Sequence, residues 1–173
     1  MSTLDFNAPW PEAPASHTLS SDEMLGVLEL AGINPDAIEL SDDEYALPTL
    51  NWITGDFADS MTGFLNSLEF TYELHSQDCK AFSRAAAFWA EYCWNKTQAG
   101  QAALALGQCY YLPNGSMEGH AINCAMTRKA GKIALVFFEP QLNFKAGFNL
   151  SLTSMTEKNL EPCEIESCSL LLF

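Results

Sequence analysis

The sequence is poor in basic residues. Only 8 Lys and Arg stand against 22 Asp and Glu in 173 residues, which gives a formal net charge of −14. Nucleic acid and anionic membranes are themselves negative, so this balance argues against both as partners. Long apolar runs are also missing, because even the longest, such as Ile133 to Phe138, are far below the ~20 residues of a membrane span. The first residues have neither a basic start nor an apolar segment, so no signal peptide is predicted.

Metal-binding and disulfide patterns are scarce as well. The six cysteines form no C-x-x-C pair, and there are only three histidines. A structural zinc site is therefore not predicted, and the residues by themselves indicate no cofactor. Scattered cysteines at apolar positions favour reduced thiols, hence a soluble protein that is intracellular or virion-associated.

The composition fits one folded domain. Apolar residues make up 48% of the chain and aromatic residues 12%. Residues 1–19, with three prolines among small and polar residues, predict a flexible arm that could contact an assembly partner. Residues 20–173 predict a single α+β domain, with N-terminal helices followed by an antiparallel sheet.

The clearest helix in the sequence begins near Cys79. Apolar residues recur at steps of three and four, which draws one buried stripe along a helix. Ser76 or Asp78 can cap the first turn with a side-chain oxygen. A thiol in that turn lies at the positive end of the helix dipole. The stripe consists of Cys79, Phe82, Ala86, Trp89 and Cys93.

A β-hairpin is predicted farther along the chain, with arms at 119–127 and 132–139. A four-residue loop at 128–131 would pair Thr127 with Lys132 and place His120 opposite Glu139. A two-residue turn at 130–131 would instead place Gln141 opposite His120. Either register gives the imidazole a polar partner on its own face of the sheet.

These residues together suggest thiol chemistry. A neutral thiol needs a nearby base, and a histidine base needs a carboxylate or amide that fixes its tautomer. Cys79, His120 and Glu139 are the candidate catalytic residues, with Gln141 as the alternative third member. Asn123 is either an orienting residue near the site or a buried amide bound to backbone. The oxyanion and orienting candidates are Gln77, Gln141 and Asn123.

Three segments resemble one protein family. The runs at 77–79, 119–123 and 138–141 are similar to the C-terminal domain of the Marasmius oreades agglutinin family of fungal lectins. The resemblance covers roughly residues 40–155 and implies a papain-like or transglutaminase-like cysteine peptidase fold. It also implies Cys79 as nucleophile, His120 as base, Glu139 as third triad member, and calcium as a possible cofactor. The fungal proteins also carry a sugar-binding β-trefoil, for which this chain has no room.

The function expected from these observations is hydrolysis by a thiol protease. A protein or peptide substrate would be cleaved at a peptide or isopeptide bond through a thioester acyl-enzyme on Cys79. Transglutaminase and amidase chemistry use the same residues and remain open. The alternative is a catalytically inactive peptidase-fold module with a structural or binding role in an assembly such as a phage particle.

Overall fold

The computed structural model describes residues 15–68, 78–98, 102–140 and 157–173, and these form a mixture of helices and sheets. The strands are β1 (Ala15–Ser20), β2 (Ile38–Glu39), β3 (Glu44–Pro48), β4 (Ala103–Leu104), β5 (Leu106–Tyr111), β6 (His120–Lys129), β7 (Lys132–Phe138), β8 (Glu157–Lys158) and β9 (Leu170–Leu172). The α-helices are α1 (Ser21–Leu30), α2 (Leu50–Trp52), α3 (Ala58–Ser67), α4 (Cys79–Gln98) and α5 (Pro162–Glu166). A π-helical turn, Ile53–Phe57, joins α2 to α3.

Two sheets organise the described residues. One has three strands in the order β1-β3-β4, and the other has six in the order β2-β9-β5-β6-β7-β8. The α+β class is confirmed. The predicted order, N-terminal helices followed by an antiparallel sheet, holds only in part. β1, β2 and β3 precede α2, and β2 pairs with β9 and β3 with β4 in parallel. Both parallel pairs join segments far apart in sequence, which local patterns do not reveal.

The predicted arm and the folded part overlap. Residues 15–20 form β1, which pairs antiparallel with β3 from Ala15↔Pro48 to Ser20↔Glu44. The last residues of the predicted arm therefore lie within a sheet. Residues 1–14 lie outside the described part of the chain.

The β6–β7 hairpin has the tighter of the two predicted turns. Lys129 pairs with Lys132, and the turn residues Ala130 and Gly131 have φ of 51° and 79°. Two successive left-handed residues match a type I′ turn, whose twist suits antiparallel strands. The register with a four-residue loop and Glu139 directly opposite His120 is therefore wrong.

The six-stranded sheet is buried on both faces. The stripe of α4 packs on one face, where Phe82, Ala86, Trp89 and Cys93 join Ala125 in one core cluster. Met24 and Leu28 of α1 pack on the other face, in a second core cluster that includes Ile122 and Cys124 of β6. The predicted helix stripe is thus confirmed, with Cys79 only half-buried at its N-terminal end. All six cysteines are free thiols.

No helix among the described residues is long and apolar enough to cross a membrane.

A capping box fixes the start of α1 and provides a simple stability test. The Ser20 hydroxyl accepts a hydrogen bond from the Glu23 amide at 3.3 Å, and the Glu23 carboxylate accepts one from the Ser20 amide at 2.9 Å. Ser20→Ala removes the first bond and is expected to lower the free energy of unfolding by about 1 kcal/mol. Ser20→Thr keeps a hydroxyl and should recover most of it. If denaturant unfolding gave the same free energy of unfolding for Ser20→Ala and Ser20→Thr, the stabilising role of the capping hydroxyl would be contradicted.

Candidate functional site

His120 and Glu139 form a close polar contact in the candidate site. His120 Nε2 and Glu139 Oε2 are 2.6 Å apart, and each side chain is 22% exposed. The two residues are diagonal neighbours on one face, because the observed register shifts the hairpin by two residues from the one predicted first. Long side chains bridge such a diagonal. The carboxylate therefore fixes the orientation of the ring while leaving it accessible to solvent.

Two further side chains extend this contact. Tyr111 pairs with His120 across β5 and β6, and the two rings meet edge to face at 5.9 Å. Lys158 Nζ donates a hydrogen bond to the Tyr111 hydroxyl. Burial raises the pKa of Tyr111, and the contact with Lys158 opposes that shift. We call Tyr111, His120, Glu139 and Lys158 the His120 cluster.

Cys79 begins α4 in the predicted position. The Asp78 carboxylate accepts hydrogen bonds from the amides of Lys80 at 3.1 Å and Ala81 at 3.2 Å. Asp78 is thus a cap of this helix, whereas Ser76 lies outside the described residues. The half-exposed thiol lies where the helix dipole is positive.

Hydrogen bonds to β6 anchor α4 near its beginning. The Ser83 hydroxyl donates to the Ile122 carbonyl at 2.9 Å, and the Asn123 amide donates to the Ser83 carbonyl at 3.0 Å. Cys79 precedes Ser83 by one helical turn, about 6 Å along the axis. His120 precedes Ile122 by two strand residues, about 7 Å. Both candidate residues thus lie close to one contact between helix and sheet.

The alternation of β6 separates the two side chains. Asn123 faces α4, whereas His120 shares its face of the strand with Ile122, which packs in the opposite core. Among the described residues, no hydrogen bond joins the Cys79 thiol to the His120 ring. The structure therefore brings His120 and Glu139 together and leaves Cys79 as a separate neighbour at the end of α4.

The remaining candidates are divided between described and undescribed segments. Asn123 is 2% exposed, and its amide donates to the carbonyls of Ser83 and Gly107, both at 3.0 Å. This is the buried amide bound to backbone that the sequence left open. The carbonyl oxygen of Asn123 has no hydrogen-bond partner in the described part of the chain. Gln77 and Gln141 lie outside the described residues.

No group of three or more His, Cys, Asp or Glu within the described ranges is arranged to hold a metal ion. The acidic loop at Asp42 is tied to its neighbours instead. The Ser41 hydroxyl donates to the Asp42 carboxylate at 3.0 Å, and the Asp42 amide donates to the Tyr45 hydroxyl at 2.8 Å. Calcium binding stays a prediction.

A groove that the sequence did not predict runs along one side of α4, between the helix and the strands β4 and β5. Its volume is about 470 Å³. It is bounded by α4, by β4 and β5, by the loop before β3 and by the C-terminal residues, so four separate segments build it. The only local signal is a row of α4 residues at helical spacing on the face opposite the core. We call this space the α4 groove; its polar and aromatic lining includes Asp42, Arg84, Phe88, Glu91, Asn95 and Gln108.

The fold matches solved lectin structures. One is described as a PSL1a–E64 complex, with a TM-score of 0.61, 17% identity, and coverage of 90% of this chain and 51% of that chain. Another is the crystal structure of Polyporus squamosus lectin bound to the human-type influenza-binding epitope Neu5Acα2-6Galβ1-4GlcNAc. Its TM-score is 0.62 and its identity 19%, with coverage of 90% of this chain and 49% of that chain. The chain thus spans about half the length of these lectins. No family model and no curated protein matches it.

These matches correct the functional predictions. The structural neighbours are lectins, which contradicts the recognition of a papain-like cysteine peptidase, the hydrolase activity and the assignment as an enzyme. The papain-like fold and the thiol-protease description are likewise unsupported. The physical reason is that short motifs around Cys79, His120 and Glu139 specify a local arrangement, whereas a fold hosts many functions. The similarity to the lectins, at these identities, is one of fold.

Proposed function

We propose that this domain binds carbohydrate, and that the ligand lies in the α4 groove. The observation that carries the proposal is the groove's lining, in which an exposed aromatic ring stands beside several planar polar side chains. The lectin identity of the structural neighbours supports it. Sugars present both apolar C–H faces and many hydroxyls, so a site for them needs both kinds of surface.

Phe88 supplies the apolar surface of the proposed site. It is 56% exposed although it is a large hydrophobic residue. Its ring stacks against Tyr92 at 6.0 Å and lies 6.4 Å from the Phe64 ring. These contacts hold the ring in place, so packing a sugar face on it costs little side-chain entropy. Covering the ring also removes apolar area from water.

The polar groups of the groove supply donors and acceptors. Three polar residues of α4 lie on the same face of the helix as Phe88, at helical spacing: Arg84, Glu91 and Asn95. Gln108 lines the groove from β5. Guanidinium and amide groups donate in a plane, and carboxylate and amide oxygens accept, which suits neighbouring sugar hydroxyls. Arg84 in addition offers a positive charge to the carboxylate of a sialylated glycan.

Isothermal titration calorimetry with two glycans tests this proposal. The probes are Neu5Acα2-6Galβ1-4GlcNAc, the epitope bound to the neighbouring lectin, and its desialylated form Galβ1-4GlcNAc. Arg84→Gln is expected to weaken binding of the sialylated probe by at least about tenfold, because a hydrogen bond to a charged group contributes roughly 1.5–3 kcal/mol. Binding of the neutral probe should change less.

Lys96→Gln is the matched control, because it removes one positive charge from the same helix outside the groove lining. It should leave both affinities within about twofold. If both variants lost the same affinity for the sialylated probe, the overall charge of the protein would explain the effect, and a contact in the groove would be contradicted.

We propose separately that Cys79, His120 and Glu139 act together as a reactive-thiol site at the end of the sheet. Cys79 is the first residue of α4 and His120 the first residue of β6, so in this proposal the thiol meets the ring around the end of the strand and not across its face. The support is the 2.6 Å contact that orients the imidazole, the position of Cys79 at the first turn of α4, and the hydrogen bond from Ser83 to Ile122 that holds both elements together. An imidazole that accepts the thiol proton raises the nucleophilicity of the sulfur. This proposal concerns the reactivity of Cys79 toward small electrophiles and assigns no substrate.

A further inference from the structure

Two buried cysteines lie in contact outside both candidate sites. Cys109 Sγ and Cys168 Sγ are 3.5 Å apart, and the residues are 0% and 4% exposed. Cys109 belongs to β5, and Cys168 lies between α5 and β9. Neither thiol has a role in the proposals above.

The backbone around the two cysteines is held by strand pairing. Cys109 pairs with Leu171 and Tyr110 with Leu170, and the Ser169 amide donates to the Tyr110 carbonyl at 2.9 Å. A disulfide bond is about 2.05 Å long, so the sulfurs must approach by roughly 1.5 Å. We expect rotation of the two side chains to provide this movement while the strands stay paired.

The two thiols differ in acidity. Their mutual hydrogen bond lowers the pKa of Cys168 and raises the pKa of Cys109, whose burial raises it further. Cys168 therefore ionises first, and it is also the less buried of the pair. Thiol–disulfide exchange begins with a thiolate, so Cys168 is the attacking residue.

We propose that Cys109 and Cys168 form a disulfide that ties the C-terminal segment to β5. The oxidant is a low-molecular-weight disulfide. The Cys168 thiolate attacks one of its sulfurs, forming a mixed disulfide and releasing one small thiolate. Cys109 then loses its proton and displaces the second small thiolate. Two protein thiols are oxidised to one disulfide, and the oxidant is reduced to two thiols.

The test treats the full chain with oxidised glutathione. Intact mass measurement should show the loss of two hydrogen atoms in addition to any glutathione carried by the accessible thiols of Cys79 and Cys163. Peptide mapping should join Cys109 to Cys168, with no glutathione on either residue. The melting temperature of the oxidised protein should exceed that of the reduced protein by roughly 10 °C, since the cross-link closes a long loop in the unfolded chain. Reduction with dithiothreitol should reverse both changes.

Variants decide which thiols are responsible. Cys168→Ala should abolish the mass change and the rise in melting temperature, and its cooperative melt under reducing conditions shows that it folds. Cys163→Ala, which removes an exposed thiol of α5, should leave both intact. A mixed disulfide with glutathione that persists on Cys168, or a cross-link to Cys124 in place of Cys109, would overturn the proposal.

Discussion

Iodoacetamide is expected to alkylate Cys79 at least about tenfold faster than Cys163 at pH 7, and His120→Gln should remove most of that difference. Cys163 is the matched reference because it is an exposed free thiol on a helix. If the imidazole takes up the thiol proton, its removal slows Cys79 alone. Peptide-resolved mass spectrometry over a time course measures both rates in one sample.

Glu139→Gln separates the roles within the site. It keeps the size of the side chain that meets His120 at 2.6 Å but removes its charge, so an intermediate rate is expected. Cys93 is buried, and burial raises its pKa to about 11. It should therefore stay unlabelled in the folded protein, so that labelling of Cys93 reports unfolding. Cys79 and Cys163 labelled equally fast in the parent protein, or His120→Gln without effect, would rule the reactive-thiol site out. E64, found with one structural neighbour, is a second probe for the same variants.

Gly107→Ala is expected to be strongly destabilising although it adds only one methyl group. A Cβ at this position would lie 1.8 Å from the Leu172 carbonyl oxygen, which is backbone and cannot move aside. Gly107 is also held from the other side, because its own carbonyl accepts a hydrogen bond from Asn123. Relief of the clash requires β9 to separate from β5. We expect a loss of about 3 kcal/mol in the free energy of unfolding.

Gly119→Ala is the matched control for this substitution. Its added Cβ would meet only the Tyr111 carbonyl oxygen, at an ordinary 3.7 Å. The change should be within about 0.5 kcal/mol. Urea denaturation followed by tryptophan fluorescence compares the two variants. If the two variants had equal free energies of unfolding, the backbones of β5 and β9 would have to lie farther apart at Gly107 than in the structure, which would contradict the prediction.

The sequence predicted those elements that depend on local patterns alone, namely the buried face of α4 and the β6–β7 hairpin. The apolar spacing from Cys79 to Cys93 gave the buried face of α4, because helix periodicity alone decides which side chains meet the core. The hairpin was predicted because two strand-like arms, 119–127 and 132–139, flank the turn residues 128–131. Its register was decided by the turn at Ala130 and Gly131, both left-handed, which only the alternative prediction contained.

Features that depend on distant segments were not predicted. The parallel pair Ile38↔Leu171 joins two segments that are far apart in the sequence, and nothing in either segment indicates that it pairs with the other. The α4 groove has the same origin, since Arg84, Gln108 and Phe173 meet only in the folded chain. The contact between His120 and Glu139 was predicted correctly as a pair, although through the wrong register. A diagonal contact and a direct one differ by two residues, and both keep the side chains on one face.

The most direct test of carbohydrate binding is a backbone-amide NMR titration of the full chain with Neu5Acα2-6Galβ1-4GlcNAc. The proposed function predicts saturable shifts concentrated at the α4 groove, around Arg84, Phe88, Asn95 and Gln108, with the His120 cluster unaffected. Phe88→Ala should weaken them without altering the rest of the spectrum. Absence of saturable shifts at millimolar glycan, or shifts confined to residues outside the groove, would contradict the proposed function.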